Sequence, residues 1–305
     1  TQYKLFLTAT PVQNKEREFF NIMDSLQPGF LGSWNIYKQN GIHALKDTVS
    51  GDLNYGAMTR FLRRDLPYIR IPPRSVKEYA VNLEKEELEI YDNLLVFLKD
   101  IIERNPGAGN IVSSIYQKVA SSSLIALKTS IERLRRKYLQ KAITHVDSED
   151  ILETTESRDF ADELRDQEKR VLEVDLNLLD DLLSRLRKLT IDAKSSCLFE
   201  LLDRFFKKED RVIIFTQYTM TLEYLASKLS ENFRSIPIHK YYGRLTIKER
   251  TDTRRKFKTR GGIFLTSEAG AESINLQHAN TTINYDLPWN PARLEQRIGR
   301  IQRIE

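Results

Sequence analysis

Two hydrophobic rhythms run along the chain, and the change from one to the other divides it. Up to about residue 190 the apolar positions recur at helical spacing. In "EREFFNIMDSL" (16–26) Phe19, Ile22, Met23 and Leu26 share one stripe, with Asn14 placed to cap the helix and Pro28-Gly29 to end it. Residues 30–60 are punctuated by glycine and only weakly periodic, so they receive no element. "LPYIRIPPRSVKEYAVNL" (66–83) predicts an extended connector leading into a strand. Pro67, Pro72 and Pro73 oppose helix there, while Val76, Tyr79 and Val81 favour strand. Three long helical stretches follow, about 84–104, 111–146 and 160–188, broken by "NPGAG" and an acidic spacer.

After Ile191 the rhythm changes. A helix over 193–208 leads to "RVIIFTQ", a continuous apolar run of the kind buried on both faces. Helix "TLEYLASKLSENF", strand "IPIHKYY", helix "TIKERTDTRRKF", strand "GIFLTS", a glycine-containing turn, strand "TTINYD" and a final helix complete the series. Strands alternating with helices imply a parallel sheet with right-handed crossovers. Residues 191–305 therefore read as one α/β domain, with the final helix packing its apolar stripe on the sheet. "YKLFL" near the start reads as a short buried strand followed by the turn "TATPVQN".

Composition narrows the class. A chain of 305 residues has room for two domains, and its 40% hydrophobic and 30% charged residues are ordinary for a water-soluble protein. No run of eighteen apolar residues occurs, so neither a membrane span nor a membrane partner is expected, and the expected location is cytoplasmic. The chain opens on a strand-like run without an initiator Met, which reads as a piece of a longer protein. The single cysteine, Cys197, excludes an intrachain disulfide and a multi-cysteine zinc site, and its neighbours Leu198, Leu201 and Leu202 give it a packing role. The four histidines form no cluster at metal-ligand spacing, so no metal site is expected from the chain's own residues.

The net charge of +5 is unevenly spread. Between Asp147 and Asp181 there are fourteen acidic residues against four basic. Lys118–Lys141 carries seven basic residues against one acidic, and Lys240–Glu305 thirteen against seven. A polyanion would meet the two basic stretches and avoid the acidic one, although runs of charge also serve as solvated helix faces.

Candidate chemistry concentrates at the end of the chain. On the helix of "LEQRIGRIQRIE" (294–305), Leu294, Ile298 and Ile301 form an apolar stripe, while Gln296, Arg300 and Arg303 cluster opposite it. Two arginines and a glutamine without an acidic neighbour suit bidentate recognition of phosphate oxygens. Spacing alone leaves an ordinary solvated face equally open. "FLTSEAGAES" places Thr266 and Ser267 just past the C-terminal end of a strand, where α/β proteins bind ligands.

In order, "LTATPVQN", "RVIIFTQY", "YYGRLTIKER", "LTSEAGAESINLQHANTTINYDLPWNP" and "EQRIGRIQRI" resemble the motifs of the superfamily-two helicase-like ATPases. "FLRRDLPYIRIPPRS", "ELEIYDNLL", "DAK" and "DLPWNP" resemble its Swi/Snf branch, especially the bacterial and archaeal members related to the RNA-polymerase-associated translocase. The resemblance implies a RecA-like second lobe (191–305), a connector and helical insertion (73–190), and the tail of the first lobe with part of a helical protrusion (1–72). It implies ATP and Mg²⁺ as cofactors. It also implies that the phosphate loop and acidic box lie elsewhere, since no GxxxxGK occurs in the 305 residues. These residues alone should then be inactive.

Residue by residue, the resemblance makes Arg300 and Arg303 arginine fingers and Gln296 their coupling partner. Gly270 and Glu272 would face the nucleotide, with Ala271 and Ser273 standing where the family has glycines. Thr8 and Thr10 would link nucleotide state to the nucleic-acid track, simple turn chemistry being the alternative. Thr216, Gln217, Gly243, Thr266 and Ser267 would line the surface for nucleic-acid phosphates, and Trp289 would face DNA unless it is a core residue. Arg254 and Arg255, in the basic stretch 240–260, would add electrostatic attraction. The implied activity is ATP-driven movement on double-stranded DNA, within a larger DNA-processing or transcription complex. A strand-separating helicase on DNA or RNA and a non-catalytic nucleic-acid-binding module are the alternatives.

Overall fold

The helical rhythm of the first part and the strand–helix alternation of the second are both realised in a computed structural model that describes residues 6, 16–44, 74–105, 108–141, 175–206, 210–267, 276–288 and 290–301. The strand expected at "YKLFL" and the helical expectation over 142–174 fall outside these residues. The chain divides into two compact units, 1–74 with 289–305, and 75–288.

In the first unit, helix α1 (Glu16–Leu26) forms as its stripe predicts and buries Phe19 and Met23. A second helix, α2 (Trp34–Ala44), occupies a stretch to which periodicity assigned nothing. Packing supplies what periodicity lacks: Tyr37 is fully buried, and the Phe20, Trp34 and Tyr37 rings meet at centroid distances of 5.4–5.7 Å.

The second unit joins a helical bundle to a sheet. Its connector, 75–83, runs without a ladder partner, and Val76 and Tyr79 are exposed, so the strand expected there does not form. β-propensity alone does not make a strand when no edge is offered to it. Helices α3 (Lys85–Arg104), α4 (Ala108–Ser122), α5 (Leu124–Lys141) and α6 (Leu176–Lys188) then enclose one apolar core. Phe97, Val112, Leu127 and Leu182, one from each helix, have no accessible surface. The helix read from sequence as continuous over 111–146 is broken at Ser123, whose hydroxyl accepts from the backbone N–H of Ile125 and of Ala126 and so starts α5 as a cap would.

Among the described residues the sheet holds four parallel strands in the order β2-β3-β1-β4: β1 (Arg211–Thr216), β2 (Ile238–Tyr241), β3 (Gly262–Ser267) and β4 (Thr281–Asn284). On one face Val212, Ile214, Ile263 and Leu265 pack against α7 (Ala193–Phe205) and α8 (Thr219–Asn232), through Leu198, Leu202, Leu222, Leu225 and Leu229. The other face is aromatic: Phe264 stacks with Tyr241 at 5.2 Å and with Phe257 of α9 (Ile247–Arg260) at 4.9 Å. Burial on both faces is the reason β1 and β3 read as unbroken apolar runs. Between α9 and β3, Gly261 and Gly262 both have positive φ, and a side chain at Gly262 would strike the Pro237 carbonyl. This is an α/β fold with a RecA-like parallel-sheet lobe and a helical insertion.

Candidate nucleotide and nucleic-acid interface

All four strands point their C-terminal ends the same way, so the segments leaving them share one edge of the sheet. Register brings Thr216 level with Ser267, and Tyr241 level with Thr266. That edge therefore gathers Thr216, Gln217, Gly243, Thr266 and Ser267, which lie up to about fifty residues apart in sequence. Ligands of open α/β sheets bind at such an edge.

The hydroxyls expected to reach phosphates face inward in this structure. Thr216, Thr266 and Ser267 are fully buried. The Thr216 hydroxyl donates to Asp286 Oδ2 at 2.7 Å, the Thr266 hydroxyl donates to the Ser267 carbonyl, and Ser267 Oγ meets no partner among the described residues. What the edge presents instead is the half-buried Gln217 and Gly243, together with exposed Arg244 and Lys248.

The turn after β2 is built by α9. Thr246 and Glu249 form a reciprocal capping box, the Glu249 carboxylate accepting from the Thr246 backbone N–H at 2.8 Å. Hydrogen bonding to Thr246 holds the Glu249 carboxyl below the usual carboxylate range. One turn on, the Arg250 guanidinium donates to the Leu245 carbonyl at 2.9 Å and also to the Gly243 carbonyl. Arg250 thus fixes the Gly243 turn from below.

Arg254 and Arg255 stand elsewhere. They lie in the second half of α9, which runs back toward the N-terminal edge, where the Lys258 carbonyl accepts from the Arg211 guanidinium at the start of β1. With Lys258 and His278 they rim a groove of about 310 Å³ over Phe257 and Leu276. Arg255 also pairs with Asp252 at 2.5 Å. The structure does not bring these two arginines to the edge that holds Thr216 and Gln217.

A polar cluster that sequence reading did not single out closes the edge beside β4. Asp286, just beyond β4, is buried, and its carboxylate accepts hydrogen bonds from Thr216, Gln217, Ser122 and Lys194 among the described residues. Oδ2 receives the Thr216 hydroxyl, the Gln217 backbone N–H at 2.8 Å and the Ser122 hydroxyl at 2.8 Å. Oδ1 receives Lys194 Nζ at 2.7 Å. The same ammonium donates to the carbonyls of Ser121 and Ser122 and lies 4.3 Å from the Tyr285 ring centroid. Beside it, buried Asp192 accepts from the Ser123 hydroxyl at 2.7 Å and caps α7 through the Ser195 backbone N–H at 2.8 Å. Burial, then the Asp192 charge, raises the Tyr285 phenol well above its ordinary value, so it stays protonated. The only sequence signal for this cluster was the family-like spelling of "DAK" and "DLPWNP".

In the other unit, helix α10 (Pro291–Gly299) begins with Asn290 as its cap, accepting from the Ala292 backbone N–H at 2.9 Å, and Pro291 at its first position. The helix stops at Gly299, and Arg300 is its C-terminal cap residue, the Arg300 N–H returning to the Arg297 carbonyl at 3.1 Å. Among the described residues the helix carries Gln296 but ends before Arg300. Gln296 and Arg300 are half-buried, and Arg297 is the buried arginine of α10. Glu295 holds Arg74 through two bonds of 3.2 and 3.3 Å.

Thr8, Thr10, Gly270, Glu272, Trp289 and Arg303 lie outside the described residues. Among the described residues no three His, Cys, Asp or Glu side chains converge to hold a metal ion, and no helix is long and apolar enough to cross a membrane. Cys197 is half-buried and free.

Comparison with known proteins shows the family. The SNF2-related domain matches residues 1–157, and the helicase conserved C-terminal domain matches residues 193–305. A Bacillus subtilis (strain 168) protein described as the uncharacterized ATP-dependent helicase YqhH is 31% identical over 313 residues, covering 99% of this chain and 48% of its own length. A Drosophila willistoni RAD54-like DNA repair and recombination protein is 26% identical over 329 residues, covering 99% of this chain and 38% of its own. Among solved structures, the C-terminal part of the Fun30 ATPase domain is similar at 21% identity and a TM-score of 0.44, covering 77% of this chain and 82% of that one. The chain thus spans about half the length of the Bacillus relative and less of the Drosophila one. With one domain matching over more than half its residues and the second completing it, the chain belongs to the SNF2-related family.

Proposed function

We propose that this chain is the C-terminal motor part of an ATP-dependent translocase on double-stranded DNA, which uses Mg²⁺-ATP and works by cyclic closure of two RecA-like lobes. The observation that carries the reading is the gathering of Gln217, the Gly243 turn, Arg244 and Lys248 at the C-terminal edge of one parallel sheet. Backbone groups and cations at such an edge suit phosphates, which are read without regard to base sequence. Thr216 takes part through Asp286, by setting the corner from which Gln217 projects. Thr266 and Ser267 shape the end of β3, and Arg254 and Arg255 add long-range attraction from α9.

ATP supplies the phosphoryl group whose transfer drives closure. Arg300 and Arg303 stabilise charge on that group, Gln296 couples them to closure, and Gly270 and Glu272 border the nucleotide. Thr8 and Thr10 couple nucleotide state to the track, and Trp289 faces DNA. The described part of this set includes a half-buried arginine at a helix end, which fits a phosphate, and Mg²⁺ would accompany the nucleotide, bridging its phosphates.

The test is ATP turnover by the full-length protein with duplex DNA, single strands or RNA. Duplex is expected to stimulate most, with half-saturation that weakens steeply as salt rises. Stimulation by RNA alone, or release of a labelled strand in step with hydrolysis, replaces the translocase reading with a helicase. Turnover indifferent to all three removes nucleic acid from the reading. The 305 residues alone should show no turnover above a mock preparation, and turnover there would refute the assignment of the motifs.

A further inference from the structure

We propose that Asp286, clamped by Lys194, is a positioning residue that sets the Gln217 corner of the nucleic-acid edge and locks it to the helical bundle. The proposal rests on the reading of that edge given above, and adds to it the group that decides its shape.

Asp286 joins three parts of the unit with one carboxylate. From the sheet it takes the Thr216 hydroxyl and the Gln217 backbone N–H, the last hydroxyl of β1 and the first N–H beyond it. From the bundle it takes the Ser122 hydroxyl at the end of α4. From α7 it takes Lys194, whose ammonium also holds two carbonyls of the same α4 end, at 3.0 and 3.3 Å. With its one proton given to Asp286, the Ser122 hydroxyl accepts from Thr221 of α8 at 2.9 Å.

A buried carboxylate held by these donors is deep in energy, because the buried Thr216 and Ser122 hydroxyls would otherwise be stranded away from water. It is also narrow in geometry: moving the α4 end or the Gln217 corner by a fraction of an ångström breaks a charge-assisted bond. A simple packing contact would not need this. The apolar core of the bundle and that of the sheet each close without Asp286. Its distinctive product is a fixed relation between the α4 end and the first residue of the nucleic-acid corner.

The experiment uses full-length protein carrying Asp286→Asn, Lys194→Met, Lys194→Arg or Ser122→Ala. For each, the duplex concentration at half-maximal ATPase, kcat at saturating duplex and KM for ATP are measured. Thermal melts and amide exchange of the peptide containing Gln217 accompany them. Neutralising the carboxylate in Asp286→Asn, or removing its ammonium partner in Lys194→Met, is expected to raise the half-saturating duplex concentration by roughly tenfold. In the same variants kcat at saturation and KM for ATP stay within about twofold of wild type, and exchange at Gln217 speeds up by about tenfold.

Lys194→Arg keeps the charge and should restore most of the duplex response. Ser122→Ala removes one hydroxyl and should move both readouts the same way, by about threefold. It keeps the test open where Asp286→Asn does not fold. Wild-type exchange at Gln217 in folded variants overturns the proposal. So does a fall of kcat, affinity and melting temperature together, which is the mark of a merely structural residue. Absence of duplex stimulation in the wild type refutes the translocase reading instead, and the exchange measurement still decides the role of Asp286.

Discussion

Replacing Thr216 with valine separates two uses of one hydroxyl. As a phosphate ligand, Thr216 would lose duplex affinity on substitution and keep its stability. In the structure the hydroxyl has another employment: Thr216 is fully buried, and its Oγ1 donates to Asp286 Oδ2 at 2.7 Å. Valine has the same shape, suits a strand, and leaves no cavity, so the change isolates the bond. A hydrogen bond to a charged group contributes about 1.5–3 kcal/mol. Asp286 keeps its Ser122, Gln217 and Lys194 donors, so its charge is not stranded, and the expected loss is about 2 kcal/mol. For a folding unit of about 200 residues that lowers the melting temperature by roughly 4–8 °C. Calorimetry on the full-length protein without nucleotide measures the shift, and ATPase titration with duplex measures affinity. A melting temperature within about 1 °C of wild type, with duplex half-saturation weakened tenfold or more, would refute the inward role of this hydroxyl.

Arg300→Ala and Arg303→Ala in the full-length protein should each lower kcat about 10³-fold or more with little change in KM for ATP, since an arginine finger acts in the transition state; steady-state kinetics with near-normal turnover in folded variants would remove that role. Gly262→Ala should cost about 2–3 kcal/mol in urea unfolding, because φ is +99° and the new methyl meets the Pro237 carbonyl; an unchanged midpoint would show that the α9–β3 turn relaxes freely. His239 Nε2–H donates to the Gly261 carbonyl at 3.0 Å, and burial, which outweighs that bond, holds the imidazole pKa below its ordinary value. The unfolded chain therefore takes up the proton first, so stability is intact above about pH 6.5 and falls as pH drops below it toward the folded value. Urea midpoints between pH 5 and 8 should show this slope and lose it in His239→Gln; a slope unchanged by the substitution would assign it to other groups.

Local patterning set whatever depends on which face of an element meets the apolar interior. The stripe of Phe19 and Met23, the unbroken runs of β1 and β3, and the Thr246–Glu249 capping box are local patterns, complete within a few residues. Strand–helix alternation put Thr266 and Ser267 at a strand's C-terminal end, whereas Thr216, Gln217 and Gly243 were named by the family resemblance. Where the buried polar groups go was set by long-range packing. Ser122, Lys194 and Thr216 reach Asp286 across 164, 92 and 70 residues, and no local spacing encodes such partners. The same long-range polar network surrounds the break at Ser123, where Asp192, 69 residues away, takes the hydroxyl. Helix α2 formed from ring packing that a weak period could not announce, and the connector at 75–83 has no ladder partner among the described residues. Hydrophobic periodicity fixes burial element by element, whereas a buried charge is placed by the few distant donors that can satisfy it at once.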